Sequence, residues 1–241
     1  KYENEVSFPF GFGHSYTTFE EKLDKVEYND EKEVYEVTVT VTNTGSVPGK
    51  RSVLIFAQTP YGDYEKQNKV EKSAVQIVGF DKTKDLQPGE SQTLTIEAER
   101  YLLASYDYTK AKTYILSEGD YFITVGADAH DAVNNILAAK GADSSRMYGT
   151  GDASKTYKFH LSFDDKTYSA TESGVPVTNR FDDADLNYWV PGAGVYLTRS
   201  DWDGTYPVPT SVTATPEMIK ELAGGLLPSS DVGEVKERLA E

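Results

Sequence analysis

Three side chains that could offer oxygen ligands stand at alternate positions in the C-terminal part of the chain. Asp183, Asp185 and Asn187 reproduce the first half of the spacing of a calcium-binding loop, and Ca²⁺ prefers such clustered oxygens. The second half is missing, because Tyr188 stands where these loops have glycine and Gly194 stands where they have a bidentate glutamate. The spacing is therefore interpreted as a solvated acidic turn, and no metal site is predicted.

The histidines and the lack of cysteine limit the other kinds of chemistry. His14, His130 and His160 lie in separate segments without an i, i+4 pair, so neither a metal site nor a nucleophile triad is indicated. Each is expected to form local hydrogen bonds. Without cysteine there is no disulfide, no thiolate nucleophile and no cysteine-based zinc site. No cofactor is predicted.

Aromatic side chains are abundant, with 17 Tyr, 10 Phe and 2 Trp. A flat ring can stack on the C–H face of a pyranose, but burying one aromatic side chain contributes about 1.5–3 kcal/mol, so most are expected in the core. Four fall in predicted loops and are candidates for glycan contact: Tyr61, Tyr64, Tyr188 and Trp189. Packing against another domain is the favoured interpretation of these four residues, and glycan contact is the alternative.

The composition argues against two classes of partner. The formal charge of -15 at pH 7 repels phosphate backbones and anionic lipids, so neither nucleic acid nor a membrane is expected to bind. No window approaches the roughly 18 consecutive apolar residues of a membrane span, and residues 1–4 do not lead into the apolar stretch of a signal peptide. Because the chain begins with Lys1 and not Met, we treat it as a fragment. Its localisation stays open, and both the bacterial cytoplasm and secretion are compatible with it.

The elements that must position these side chains are mainly β-strands. Between residues 19 and 165, β-branched and aromatic residues alternate with polar ones, and turn residues separate the runs. In the clearest run Val37, Val39 and Val41 share one face and threonines occupy the other, which predicts one buried and one solvated face. About seven strands are predicted, as in an immunoglobulin-like sandwich. They lie at residues 19–28, 34–42, 52–58, 74–80, 93–98, 121–126 and 157–163.

One helix interrupts the strand pattern. Val133, Ile136 and Leu137 have helical spacing, and Gly141 follows as a stop signal, which predicts a helix over residues 131–140. This helix is an insertion between two late strands.

The alternation fades from residue 166 onward, where Gly, Pro, Asp and Thr become frequent. Such a composition is typical of a linker or a wrapping segment. Thr215 and Pro216 offer an N-cap and a first helical residue, so a short helix is predicted at residues 218–222. A second short helix is predicted at residues 232–239.

Residues 8–16 follow neither the period of a strand nor that of a helix. Phe8, Phe10, Phe12 and Tyr16 supply apolar area that a solvated tail does not need, and the intervening glycines permit positive φ angles or close approach. We therefore predict a domain-docking segment formed by these four aromatic residues. In this chain it is expected to be loosely held or to pack on the sandwich in a substitute way.

Several motifs carry a resemblance to a known family. The stretch FPFGFGHSYTTF at residues 8–19 is similar to the segment that leads into the fibronectin type III-like domain of family 3 glycoside hydrolases. The motifs VTVTNTG (39–45), GF (79–80) and LQPGE (86–90) resemble that domain in the same order. The resemblance implies a fibronectin type III-like β-sandwich.

A subset of that family is similar over further segments. AHDAVNNILAAKG (129–141), NRFDDA (179–184) and YLTRSDW (196–202) resemble bacterial β-glucosidase-type members in which this domain precedes the catalytic barrel. The resemblance implies a parent enzyme that hydrolyses β-glucosides with retention, using a barrel aspartate and a separate acid/base carboxylate. Neither catalytic domain is recognised in this sequence, so no catalytic residue is assigned.

The resemblance also draws attention to Asp201, because the family nucleophile stands in a Ser-Asp-Trp context. Here the motif Ser200-Asp201-Trp202 sits in a loop-rich tail without the repeated βα units of a barrel. A structural role is the favoured interpretation of Asp201. The alternative, a small hydrolase that uses Asp201 and a second carboxylate, requires two carboxyl groups about 5–5.5 Å apart.

The sequence thus predicts an all-β chain with three parts. These are a linker or docking segment (1–18), a fibronectin type III-like sandwich with a helical insertion (19–165), and an irregular wrapping linker leading to a catalytic barrel outside this sequence (166–241). The predicted function is a non-catalytic structural and interaction module whose partners are the other domains of the parent glycosidase. The alternative function is a carbohydrate-binding module that uses exposed aromatic residues.

Overall fold

Antiparallel β-strands dominate the computed structural model, which describes residues 6–200 and 214–226. The strands are β1 (Phe19–Asn29), β2 (Val34–Asn43), β3 (Ser52–Gln58), β4 (Gln76–Lys82), β5 (Ser91–Glu99), β6 (Ser105–Asp107), β7 (Thr113–Ile115), β8 (Gly119–Gly126) and β9 (Thr156–Leu161). The α-helices are α1 (Asp63–Asn68), α2 (Ala129–Ala139), α3 (Leu186–Trp189) and α4 (Pro216–Leu226). Short 3-10 turns lie at Arg100–Leu103, Ser144–Arg146, Ala153–Lys155 and Asp182–Ala184.

The seven longer strands form a sandwich of two sheets. One sheet has three strands in the order β1-β2-β5, and the other has four in the order β4-β3-β8-β9. All pairings in both sheets are antiparallel. This arrangement confirms the predicted fold class, and each of the seven predicted strands overlaps an observed one.

The core lies between the two sheets and follows from the alternation along β2. Val37, Val39 and Val41 are fully buried, and residues of both sheets surround them, including Ile55 of β3 and Ile123 of β8. Each such side chain contributes about 1.5–3 kcal/mol by leaving water. The opposite face of β2 carries a ladder of hydroxyl groups, with Thr40 to Thr93 at 2.9 Å and Thr42 to Ser91 at 2.7 Å.

Helix α2 is inserted between β8 and β9, as predicted, and its ends explain its length. The side chain of Asp128 accepts hydrogen bonds from the backbone N–H groups of His130 and Asp131, both at 2.9 Å, which caps the N-terminus. At the other end Gly141 has φ +70 and donates to the Ala138 carbonyl, while the next N–H reaches back to Leu137, which is the Schellman arrangement.

Helix α2 also covers the outer face of the four-stranded sheet. It packs against β3 and β8, where Phe56 and Thr124 point away from the core and are nevertheless buried. The buried amide of Asn135 donates to the Val125 carbonyl at 3.1 Å. Strands β3 and β8 are therefore buried on both faces along this part of the sheet.

A short hairpin, β6–β7, and helix α1 were not predicted. Strands β6 and β7 have three residues each, too few to show a period of two. Helix α1 is a six-residue polar segment in which Glu65 accepts from the Gly62 N–H at 2.7 Å, so capping and not an apolar face defines it.

Residues 201–241 form a separate unit, of which the structure describes 214–226. Helix α4 begins at Pro216, and Thr215 Oγ1 accepts from the Met218 N–H at 3.3 Å, which confirms the predicted capping. The helix predicted at 232–239 lies outside the described residues. Across the described parts of the chain no helix has the length and apolar character needed to cross a membrane.

A buried ion pair holds the loop that follows α1. Lys72 donates to Glu65 at 3.1 Å, to the Pro60 carbonyl at 2.9 Å and to Ser117 at 2.6 Å, and both charged side chains are only 3% exposed. Burial opposes ionisation of Glu65, but hydrogen bonds from Ser117, Gly62 and Lys72 outweigh it and hold the pKa of Glu65 below its ordinary value. Ionised Glu65 therefore favours the folded state above the unfolded-state pKa of the carboxyl, and that contribution is lost as the pH falls through the folded-state pKa.

Replacing Lys72 with Ala should lower the free energy of unfolding by about 3–5 kcal/mol, because it leaves the Glu65 carboxylate buried without its counter-charge. The matched control is Lys66→Ala on the exposed side of α1, which should change stability by less than about 0.5 kcal/mol. Urea titrations at pH 7 measure both values. Equal effects of the two substitutions would show that the pair has no special role.

Candidate functional site

The backbone of residues 8–16 is fixed to the sandwich. The Phe10 carbonyl accepts a hydrogen bond from the Ala129 N–H at the start of α2, at 2.8 Å, and a turn joins Phe12 N–H to the Pro9 carbonyl at 3.0 Å. Gly11 has φ +90, and a Cβ there would lie 2.7 Å from Leu54 Cδ1. The positive φ favours glycine at this position, and the hydrogen bond at Phe10 together with the close approach at Gly11 shows that the segment packs on the sandwich.

The aromatic side chains of this segment nevertheless face solvent. Phe8 is 69% exposed, Phe10 is 66% exposed, Phe12 is 43% exposed and Tyr16 is fully exposed. The rings of Phe8 and Phe12 lie 5.0 Å apart, and His14 meets Phe12 edge to face at 5.1 Å. A fixed backbone thus presents a group of apolar side chains outward.

One further exposed phenylalanine lies on the same side of the sandwich. Phe80 of β4 pairs in register with Leu54 of β3, the residue that Gly11 contacts, and it is 75% exposed. The neighbouring Gly79 faces the core at Ile96, so Phe80 points outward. In the sequence Phe80 stands out only as part of the motif Gly79-Phe80. Its position directly before the polar pair Asp81 and Lys82 at a strand end is the signal that could have identified it.

Tyr64 was expected in a loop, which is wrong, because the Gly62–Glu65 cap starts helix α1 there. Its hydroxyl donates to Asp107 at 2.6 Å, and its ring packs on Phe163 at 5.1 Å. Asp107 is completely buried. Burial opposes its ionisation, but the backbone N–H groups of residues 109–111 and the Tyr64 hydroxyl lower the pKa of Asp107 below its ordinary value.

Tyr61 does lie outside the helices and strands, as expected. The guanidinium of Arg199 sits over its ring, 4.6 Å from the centroid, and the Arg199 N–H donates to Glu71 at 2.9 Å. Tyr61 therefore takes part in holding residue 199 against the loop that follows α1. Contact of Tyr61 or Tyr64 with a glycan stays a prediction.

Tyr188 and Trp189 lie on the short helix α3, not in a loop. Asp185 caps this helix by accepting from the Asn187 N–H at 2.8 Å, so the alternate spacing of Asp185 and Asn187 serves helix capping. Both aromatic side chains are exposed, their rings meet edge to face at 5.1 Å, and Trp189 Nε1 donates to the Asp183 carbonyl at 2.6 Å. Their contact with a glycan also stays a prediction.

His130 and His160 form hydrogen bonds, as expected, whereas His14 contacts the ring of Phe12 instead. His130 Nε2 lies 2.6 Å from the Tyr148 carbonyl, and His160 Nδ1 lies 3.1 Å from Asp120. No group of three or more metal-ligating side chains occurs in the described ranges. Asp201 lies outside the described residues.

Removing only the hydroxyl group in Tyr64→Phe should lower the free energy of unfolding by about 1–3 kcal/mol, because the buried Asp107 carboxylate loses one hydrogen-bond donor. Tyr188→Phe is the matched control, since its side chain is exposed, and it should have no measurable effect. Thermal and urea unfolding of both variants test this. A neutral Tyr64→Phe substitution would leave Tyr64 free for a role in ligand binding.

Comparison with known proteins identifies the central part of the chain. Residues 53–129 match the model of the fibronectin type III-like domain. "Beta-glucosidase A" of Butyrivibrio fibrisolvens is 34% identical over 145 residues, which cover 54% of this chain and 17% of that protein. "Thermostable beta-glucosidase B" of Acetivibrio thermocellus is 28% identical over 185 residues, covering 75% of this chain and 22% of that protein.

Among solved structures, a β-glucosidase from Paenibacillus barengoltzii is 37% identical, with a TM-score of 0.47 over 53% of this chain and 14% of that one. This chain matches less than a quarter of the length of each of these relatives. The family match falls on the strands β3 to β8, inside the sandwich described above. Residues 53–129 therefore match a fibronectin type III-like domain, and the chain is similar to a part of the much longer β-glucosidases named above.

Proposed function

We propose that this chain is a non-catalytic structural and interaction module of a family 3 glycoside hydrolase with a β-glucosidase-like parent activity. The observation that carries the proposal is the N-terminal segment, whose backbone is bonded to the sandwich at Phe10 while Phe8, Phe10 and Phe12 are exposed. The relatives named above support the parent activity, because they are β-glucosidases several times longer than the matched region.

The segment has the properties of a preformed docking surface. Burying a phenylalanine side chain contributes about 1.5–3 kcal/mol, so several exposed rings are a strong driving force for association. The hydrogen bond between Phe10 and Ala129 and the contact of Gly11 with Leu54 fix the backbone before a partner arrives, which lowers the entropic cost of docking. The proposed partner is another domain of the parent enzyme. On this proposal residues 1–18 dock, 19–165 form the sandwich and 166–241 wrap toward a catalytic barrel.

If the chain is a non-catalytic module, the purified 241-residue chain should not hydrolyse aryl β-glucosides. Retaining glycosidases need two carboxyl groups about 5–5.5 Å apart across a sugar-binding pocket, and no such catalytic pair is assigned here. Release of nitrophenol from nitrophenyl β-glucoside is measured against a buffer control. Turnover that persists through successive purification steps would contradict the proposal.

If the N-terminal segment serves for docking, its removal should change the thermal stability of the sandwich only slightly. Deleting residues 1–14 should lower the melting temperature by only a few degrees, since about 1 kcal/mol corresponds to roughly 2–4 °C for a chain of this size. The matched variant Phe8→Ser with Phe10→Ser, which keeps the backbone contacts, should melt at the same temperature as the parent chain. A loss of about 15 °C on deletion would assign these phenylalanines to the sandwich's own core.

A further inference from the structure

A cleft with aromatic walls lies between the β6–β7 hairpin and residues 179–198. Its volume is about 460 Å³, within the range of small-molecule sites. Four aromatic residues line it: Tyr106 and Tyr108 from the hairpin side, and Phe181 and Tyr196 from the opposite side. Lys69, Glu71 and Asn179 add charged and amide groups to the same lining.

Residues 179–198 are held in place by hydrogen bonds among their own polar groups. The Asn187 side chain bonds to both the N–H and the carbonyl of Gly194, each at 2.9 Å. Asp185 caps α3 and also accepts from the Tyr196 hydroxyl at 2.5 Å. Most of the large apolar side chains of this segment face solvent, including Phe181 at 75% exposure and Tyr196 at 55%. The segment is therefore a compact loop with its polar groups paired and its aromatic rings outside.

The opposite wall is fixed in a similar way. The Tyr106 hydroxyl donates to the Lys112 carbonyl at 3.2 Å, and its ring meets Tyr114 edge to face at 5.4 Å. Beneath this hairpin lies the buried Asp107, which three backbone N–H groups and Tyr64 bind. Both walls are thus ordered before any ligand arrives, which reduces the entropy lost on binding.

The side chains that line the cleft favour one chemical class of ligand. Aromatic rings match the C–H faces of pyranose rings, and amide, ammonium and carboxylate groups can exchange hydrogen bonds with sugar hydroxyls. Glu71 and Asp185 in the lining, together with a chain charge of -15, oppose an anionic ligand. The cleft thus offers both aromatic faces and hydrogen-bonding groups. A neutral saccharide can use both, because it has apolar C–H faces and hydroxyl groups.

We propose that the cleft between Tyr106 and Tyr196 binds a short neutral oligosaccharide. This goes beyond the proposed packing function, and it places the aromatic contacts at Tyr106, Tyr108, Phe181 and Tyr196, not at the loop residues that the sequence indicated. Binding here requires no chemistry on the sugar, so the site is compatible with a chain that lacks catalytic activity.

The test is a titration of the purified chain with cellotriose, laminaritriose and maltotriose, followed by NMR amide shifts and calorimetry. At least one of the three should bind saturably at one site, with shifts at residues 106–108 and 179–198. The anionic trigalacturonic acid should not bind. The idea is wrong if none of the three neutral trisaccharides gives saturable binding up to about 10 mM, ten times the concentration at which a 1 mM Kd half-saturates the site.

Single substitutions in the cleft distinguish the contribution of ring stacking to sugar affinity from other contributions. Phe181→Ala and Tyr196→Ala should each weaken binding at least tenfold, while Tyr196→Phe, which keeps the ring, should bind within about threefold of the parent chain. Tyr16→Ala is the matched control, because Tyr16 is fully exposed and does not line the cleft. Equal affinities for all four variants would overturn the assignment even if a sugar binds elsewhere. This result is independent of the glucosidase assay, so the failure of either proposal is seen separately.

Discussion

The strict alternation of β2 is the constraint on which the rest of the structure depends. This strand pairs with β1 on one side and β5 on the other, so its register fixes both neighbours. A shift by one residue would move Val37, Val39 and Val41 into water and bring threonines into the core. This register fixes the positions of the turns at both ends of the three-stranded sheet. The chain segments that lead from these turns to the second sheet therefore start from fixed positions.

Buried polar groups hold several of the connecting loops in one conformation. Asn43 is completely buried, and its amide donates to the Val47 and Leu86 carbonyls while its oxygen accepts from Thr17 and Gly45. Asp107 organises the β6–β7 turn, and the Lys72–Glu65 pair organises the loop after α1. Because an unpaired buried polar group costs about 1–3 kcal/mol, each of these groups strongly favours one loop conformation.

The sequence predicted the fold well and the candidate site only in part, for physical reasons that differ. The long strands and helix α2 were predictable because their residues repeat with a fixed period, as Val37 and Val39 do, or end at a recognisable stop such as Gly141. Tyr64 was misplaced because α1 has no apolar period and depends on one capping glutamate. The aromatic cleft was not predicted, since Tyr106 and Tyr196 are 90 positions apart and only the folded chain brings them together.

Helix α2 covers the outer face of the four-stranded sheet, so the strands of the two sheets differ in how deeply they are buried. Strands β3 and β8 are shielded on both sides, whereas the threonine face of β2 meets water directly. Local opening that exposes β3 or β8 must first displace the helix, but fluctuations of the three-stranded sheet need no such step. The amide protons of β3 and β8 should consequently be the slowest to exchange with deuterium, which makes the double-covered strands the last part of the sandwich to open.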